Sequence, residues 1–203
     1  LQVGILSSIV GCTIGMIVGV AGVHFGGYVD IAIQRLVDGM MAFPGLLLAI
    51  AIIAALGSSI NNVIIAISIT YIPSTARILR SQALAIKEQD YILAARAVGA
   101  GDWRIVLKHM IPNCFAVFIV IVTFHMGGAI IAEASLSFLG LGAPPNVPAW
   151  GGMLSNAADW IRVAWWMLIF PAAAIAIVVF AWNLLGDSLR DVLDPRLRGT
   201  GGT

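Results

Sequence analysis

Apolar residues along this chain gather into five long runs, separated by short polar segments. The runs cover about residues 3–23, 40–56, 63–79, 114–132 and 163–185. Each approaches the roughly 20 apolar residues that a helix needs to cross a bilayer, so the pattern predicts five membrane-spanning helices. In the first run Gly4, Gly11, Gly15, Gly19 and Gly22 fall mostly at helical spacing, which predicts a small-residue face suited to close helix packing rather than to lipid. That run has no basic flank before it and is too long for a typical signal core, so no cleaved signal peptide is expected. Pro44, early in the second run, and Pro73, in the third, predict breaks there, as hinges or as packing kinks, because proline removes a backbone donor.

One polar interruption is longer than the others. Residues 91–112 read as two short amphipathic helices broken at Gly99-Ala100-Gly101. In the first helix, 88–98, Glu88 and Asp90 occupy the first turn and complement the helix dipole. Ala94, Ala95 and Ala97 give a smooth, closely approachable surface. Gly99 is placed to end the helix in the left-handed conformation. Asp102 is then the expected N-cap of a second helix, 103–110, and Pro112 is expected to open the next membrane helix. The result is a helical elbow along one membrane face. An interfacial amphipathic connector is the plainer reading of the same residues.

Composition narrows the class. The chain is 60% hydrophobic and 10% charged, with a mean hydropathy of +1.00, whereas soluble domains carry about a quarter charged residues. Eleven basic and ten acidic residues nearly balance, so charge points to no nucleic-acid or acidic partner. Cys12 and Cys114 lie at or within apolar runs and read as small buried hydrophobes. With His24, His109 and His125 scattered, there is no metal-ligand spacing.

Charge also sets orientation. Arg35, Arg77, Arg80, Lys87, Arg96, Arg104, Lys108, Arg190, Arg196 and Arg198 all fall on one side of five alternating spans, and Arg162 alone on the other. Basic residues concentrate on the cytoplasmic side, so the elbow and the C-terminus are expected inside and Leu1 outside. An external start without Met or signal leads to the expectation of at least one further span upstream. Asp38 is at helical spacing from Arg35, a modest local pair.

Beyond the fourth run, residues 134–160 form an external segment without Lys or Arg and still fairly apolar, expected to fold back against the membrane face. Glu133, at the outer end of that run, is a candidate for the translocation path, because an acid there is costly unless it faces water or a partner. A structural ion pair or an interfacial position is the alternative. His125, within the run, is either a gating group or a hydrogen-bonded interhelical contact. Trp150, Trp160, Trp165 and Trp166 are expected to form an interfacial belt.

The elbow resembles the cytoplasmic loop of bacterial ABC importer permeases, whose pattern is Glu-Ala-Ala, three residues, Gly, nine residues, Ile, one residue, Leu-Pro. This chain supplies Ala94-Ala95, Gly99 at the required spacing, and Ile111-Pro112. It departs at Leu93, where the family usually has Glu, and at His109, where Ile is common. Residues 30–44, Leu136-Ser-Phe-Leu-Gly-Leu-Gly142, Pro148-Ala-Trp-Gly151 and Asp194-Pro-Arg-Leu-Arg198 extend the likeness over nearly all of 1–199. Together they look like the C-type subunit of dipeptide/oligopeptide (or nickel) permeases.

The resemblance implies an all-α, polytopic membrane domain of the type I ABC importer kind over 1–199. It would carry a coupling loop at 88–112, an external loop at 134–160 and a short tail at 200–203, and the family's first span would be missing from it. It implies a permease in the bacterial cytoplasmic membrane that moves di- or oligopeptides or related small solutes. Its partners would be a second permease subunit, two ATP-binding subunits, an extracytoplasmic substrate-binding protein and membrane lipid. Ala94, Ala95, Gly99, Asp102, Ile111 and Pro112 would dock the ATPase. No Gly-Lys-Ser/Thr phosphate loop occurs in the sequence, so ATP and Mg would be held by the partner subunits, and no catalytic residue is expected here. The rival reading is a secondary transporter or channel subunit, which would be expected to show internal repeats or clustered intramembrane charges.

Overall fold

The computed structural model describes residues 1–144 and 146–193, so the predicted basic segment 194–198 and the tail lie outside the described residues. Nine α-helices and no strand occur among them. They are α1 (Gln2–Phe25), α2 (Gly27–Met41), α3 (Gly45–Leu56), α4 (Ile60–Lys87), α5 (Asp90–Ala97), α6 (Asp102–Ile105), α7 (Ile111–Phe138), α8 (Trp150–Ala158) and α9 (Trp166–Leu193). A π-helical turn, Val106–Met110, joins α6 to α7.

The glycine face of α1 sets the packing. A Cβ at Gly11 would lie 2.5 Å from the Ser68 carbonyl oxygen, one at Gly15 2.8 Å from that of Ile72, and one at Gly19 2.5 Å from that of Ala76. The missing side chains let the α1 and α4 backbones touch, as small residues do in membrane helix pairs. Ser68 Oγ donates across the seam to the Ser7 carbonyl at 3.2 Å. Contacts advance in step along both helices, so α1 and α4 are parallel.

Parallel neighbours require the chain to return between them, and the return is α2 with α3. These two are bent by 89°. The break falls at Pro44, which caps α3 in an extended conformation. The break expected at Pro44 is thus a full bend, and what is corrected is the length of the second crossing: α3 has only 12 residues, about 18 Å at 1.5 Å per residue. α2 instead carries Asp30, Arg35 and Asp38 and buries only Val37, with Tyr28, Ile31 and Leu36 exposed. It is an amphipathic arm outside the apolar crossings. Four helices, or helical runs, among the described residues are long and apolar enough to span a membrane by themselves, and counting the bent pair as one span gives five.

Pro73 does not break its helix. It is buried inside the unbroken 28-residue α4, where tertiary packing offsets the lost backbone bond. α7 runs antiparallel to α1, with Gly4 against Ile130 and His24 beside Trp103, ring centroids 5.5 Å apart. α9 runs antiparallel to α7, with Gly127 near Val179 and Asn183 and Gly186 near Thr123. The feet of α1, α4 and α9 thus share one end of the bundle with α5 and α6. Arg80, Lys87, Arg96, Arg104 and Arg190 collect at this basic end, and Arg162 lies at the far end.

At the end away from the elbow, α8 packs on α7 and α9, and Gly151 sits so close to Ala134 that no side chain would fit. Trp160, Trp165 and Trp166 are exposed around its junction with α9.

Candidate functional site

The elbow starts where α4 ends. Lys87 Nζ donates to the Val23 carbonyl at 2.9 Å, tying the foot of α4 to the foot of α1. Asp90 lies in the first turn of α5 and Arg96 in its last, both favourable to the dipole. The helix closes at Val98 with Gly99 at φ +81°. The Gly99 N–H donates to the Arg96 carbonyl at 2.9 Å, and the Ala100 N–H to that of Ala95 at 3.0 Å. This pair of bonds is a Schellman motif and explains why a glycine stands there.

Two isoleucines that the sequence reading did not single out fix the elbow to the bundle. Ile92 of α5 and Ile105 of α6 are fully buried in one cluster with Val20, Val23, Leu79, Ala83, Ile86 and Met110. The opposite surface is open: Leu93, Ala94, Val98, Gly99 and Trp103 are exposed. Ala95 is half-buried and contributes its carbonyl to the helix stop. The elbow is thus a small apolar knuckle mounted on two buried anchors.

Two expectations for this segment need correction. Asp102 is not the N-cap: Gly101 holds that position in an extended conformation, and Asp102 is the first helical residue with no capping bond. Its carboxylate acts only through the helix dipole. The second amphipathic helix is not separate, because α6, the π-turn and α7 form one apolar helical run, Asp102–Phe138, of 37 residues. Pro112 stands in the first turn of α7, as expected. It follows the π-turn, where its absent N–H is accommodated, and Asn113 Nδ2 donates to the His109 carbonyl at 2.6 Å. Ile111 is half-buried against the core cluster.

The candidate path residues are not brought together. His125 faces α4, its ring stacked on Tyr71 with centroids 4.2 Å apart and its Nε2 3.5 Å from Ser74 Oγ. Glu133 lies two turns further toward the far end, where Ser137 Oγ donates to Glu133 Oε1 at 2.6 Å. Its carboxylate borders a cavity of about 320 Å³ shared with Ile60, Pro148, Trp150 and Met153. A larger cavity of about 630 Å³ opens at the basic end, lined among others by Gln82, Gln89, Tyr91, Asn113 and Arg190. No potential metal cluster occurs among the described residues.

Polar pairing at the basic end also differs from expectation. Asp38 does not pair with Arg35; it pairs across helices with Arg77. Asp30 receives two bonds from Arg80, from Nε at 2.7 Å and from the terminal nitrogen at 2.6 Å. The Arg80 guanidinium beside it holds the Asp30 carboxyl below its ordinary range against a smaller opposing effect of burial. Nothing local in the sequence signals these pairs, since the partners lie 39 and 50 residues apart.

Alternating apolar crossings with an anchored, outward-facing elbow at one end are the build of a membrane transport subunit. The chain belongs to the family described as the binding-protein-dependent transport system inner membrane component, whose sequence profile matches residues 11–199. It is 46% identical over 201 residues to a putative peptide transport system permease protein of Brucella suis biovar 1, covering 99% of this chain and 68% of that protein. It is 46% identical over 199 residues to the glutathione transport system permease protein GsiD of Escherichia coli O6:K15:H31, covering 98% and 66%. The chain thus spans about two thirds of the length of these relatives.

Among solved structures the fold matches inward-facing conformations of the MetNI methionine ABC transporter, with a TM-score of 0.77 at 18% identity, over 96% of this chain and 92% of that one. An amino acid ABC transporter crystallised with histidines matches with a TM-score of 0.62, also at 18% identity, over 97% and 92%. The chain is a multi-pass permease subunit of the ABC importer type, and the secondary-transporter or channel reading falls away.

Proposed function

We propose that this chain forms one half of a translocation path for di- or oligopeptides or related small solutes across the bacterial cytoplasmic membrane, driven through its elbow by a separate ATPase subunit. The basic end faces the cytoplasm, in keeping with the positive-inside rule, so the C-terminus is inside. A second permease subunit completes the path. Two ATP-binding subunits sit beneath, holding ATP and Mg, and a substrate-binding protein delivers solute from above. The names of the peptide and glutathione relatives support the substrate class.

The observation that carries the coupling role is the knuckle itself. Ala94, Val98 and Gly99 form an exposed apolar tip outside the crossings, while Ile92 and Ile105 lock that tip into the core. An exposed apolar patch of this kind marks a docking surface. A push on the tip reaches α4 directly and α7 through the continuous Asp102–Phe138 run, which is about 55 Å long at 1.5 Å per residue. The lever ends near Glu133, where the path candidate meets the far-end cavity. Ala94, Ala95, Gly99, Ile111 and Pro112 shape the socket, with Asp102 acting on its dipole. Glu133 is assigned to the entrance of the path, in reach of a cationic solute group, and His125 to the α4–α7 contact that must shift when the path opens.

The test is co-purification. Disrupting the tip with Ala94→Trp should release the ATPase subunit while leaving the permease pair intact. Full retention of the ATPase would remove the docking assignment.

A further inference from the structure

We propose that Asp30 and Arg80 are positioning residues that carry movement of the elbow, through the arm α2, to the short crossing helix α3. The inference rests on the proposed coupling role of the elbow. It begins from how weakly α2 is held by apolar contact: of its 15 residues only Val37 is buried. Its attachment to α4 is a polar seam instead. Asp30, Gln34 and Asp38 recur every four residues and so share one helical face. Arg80 grips the first through two bonds, and Arg77 pairs with the last. The Asp30–Arg80 pair is mostly shielded, with 16% and 28% of the respective side chains exposed.

Space for the grip is provided by Gly22, where a Cβ would lie 2.8 Å from Asp30 Oδ1. Between the two pairs the Gln34 amide nitrogen is buried without a partner, alone in this among the described side chains.

The position of the seam gives it a task. The buried residues form two clusters. One holds the elbow anchors and the lower halves of α1, α4 and α7. The other packs Ala49 and Ile53 of α3 against Val63, Ala66 and Ile67 near the far end. Near one end of α2, Asp30 is held by Arg80, about two turns before the foot of α4, and the other end runs into the 89° bend at Pro44. An arm of 15 residues is about 22 Å long, enough to turn a small shift at α4 into a displacement of α3. Ion pairs at an aqueous edge exchange water and partners without exposing apolar area, which suits a joint that moves.

The test uses the complete importer in proteoliposomes, reading solute moved per ATP hydrolysed at equal amounts of assembled complex. Asp30→Asn should lower that ratio about fivefold or more, the scale of a typical coupling energy, while ATP hydrolysis persists. Gly22→Ala, which displaces the carboxylate and keeps its charge, should lower it in the same direction. The double exchange Asp30→Arg with Arg80→Asp should recover most of the loss. An unchanged ratio in Asp30→Asn overturns the proposal, as does a parallel fall of hydrolysis and transport that tracks lost assembly. Absence of ATP-driven uptake by the unmodified complex would instead sink the elbow reading on which it rests.

Discussion

Gly99 offers a clean perturbation, because a Cβ built there meets nothing within 4 Å. Any effect of a substitution therefore comes from the backbone at φ +81° and not from a clash. For an alanine the left-handed conformation costs about 1–2 kcal/mol. Reduced freedom of the unfolded chain offsets ~0.4–1 kcal/mol of that. The net is roughly 1 kcal/mol, which shifts the balance between the closed elbow and a frayed one about fivefold at RT ≈ 0.59 kcal/mol. A β-branched residue is a stronger outlier at positive φ, while asparagine tolerates it. The expected order of solute moved per ATP in proteoliposomes is Gly99→Asn near wild type, Gly99→Ala lower and Gly99→Val lowest, with ATP hydrolysis persisting in all three. Equal ratios across the series, at equal assembly, would refute both the helix-stop argument and the coupling role.

Three further outcomes follow from the same geometry. Gly11→Val places side-chain atoms against the Ser68 backbone; overpacking of this kind costs about 1–3 kcal/mol and should lower the thermal midpoint of the detergent-solubilised complex. Ile92→Ala empties a fully buried site at a cost of about 2–5 kcal/mol, and should raise amide hydrogen exchange across 90–101 more than across α1. Because Arg80 holds Asp30 below its ordinary range, the stability this pair contributes is complete above about pH 4, the unfolded carboxylate value. It is lost as pH falls through the lowered folded value. Melting points of wild type and Asp30→Asn should therefore differ at neutral pH and converge only in acid.

How much the sequence disclosed depended on the range of the interaction. Apolar run length found every crossing, and the break at Gly99 was legible because a helix stop needs glycine locally. The glycine face of α1 was legible too, since its spacing is its own signal. Pro44 marked the break between α2 and α3 but not its 89° size: apolar residues continue from Met40 through Pro44 to Leu56, so composition alone assigned the end of the arm to the crossing. Pro73 misled in the other direction, because packing around α4 holds a helix that the local rule would break. Asp102 failed as a cap because Gly101 takes the extended position one residue earlier. Ile92 carried a readable amphipathic signal within α5, yet its partners Val20 and Leu79 come from distant helices. The pairs of Asp30 and Asp38 with Arg80 and Arg77 depend wholly on tertiary placement.

The elbow tip is proposed as the surface on which the ATPase subunit sits. Its most direct test is a photo-crosslinking residue at Val98, which is 85% exposed, in the intact importer, with Trp160 at the far end as the comparison site. The expected result is an adduct between this chain and the ATPase subunit from position 98, changed in yield by nucleotide, and none from position 160. Adducts from position 98 with lipid alone, or ATPase capture equally efficient from both positions, would contradict it.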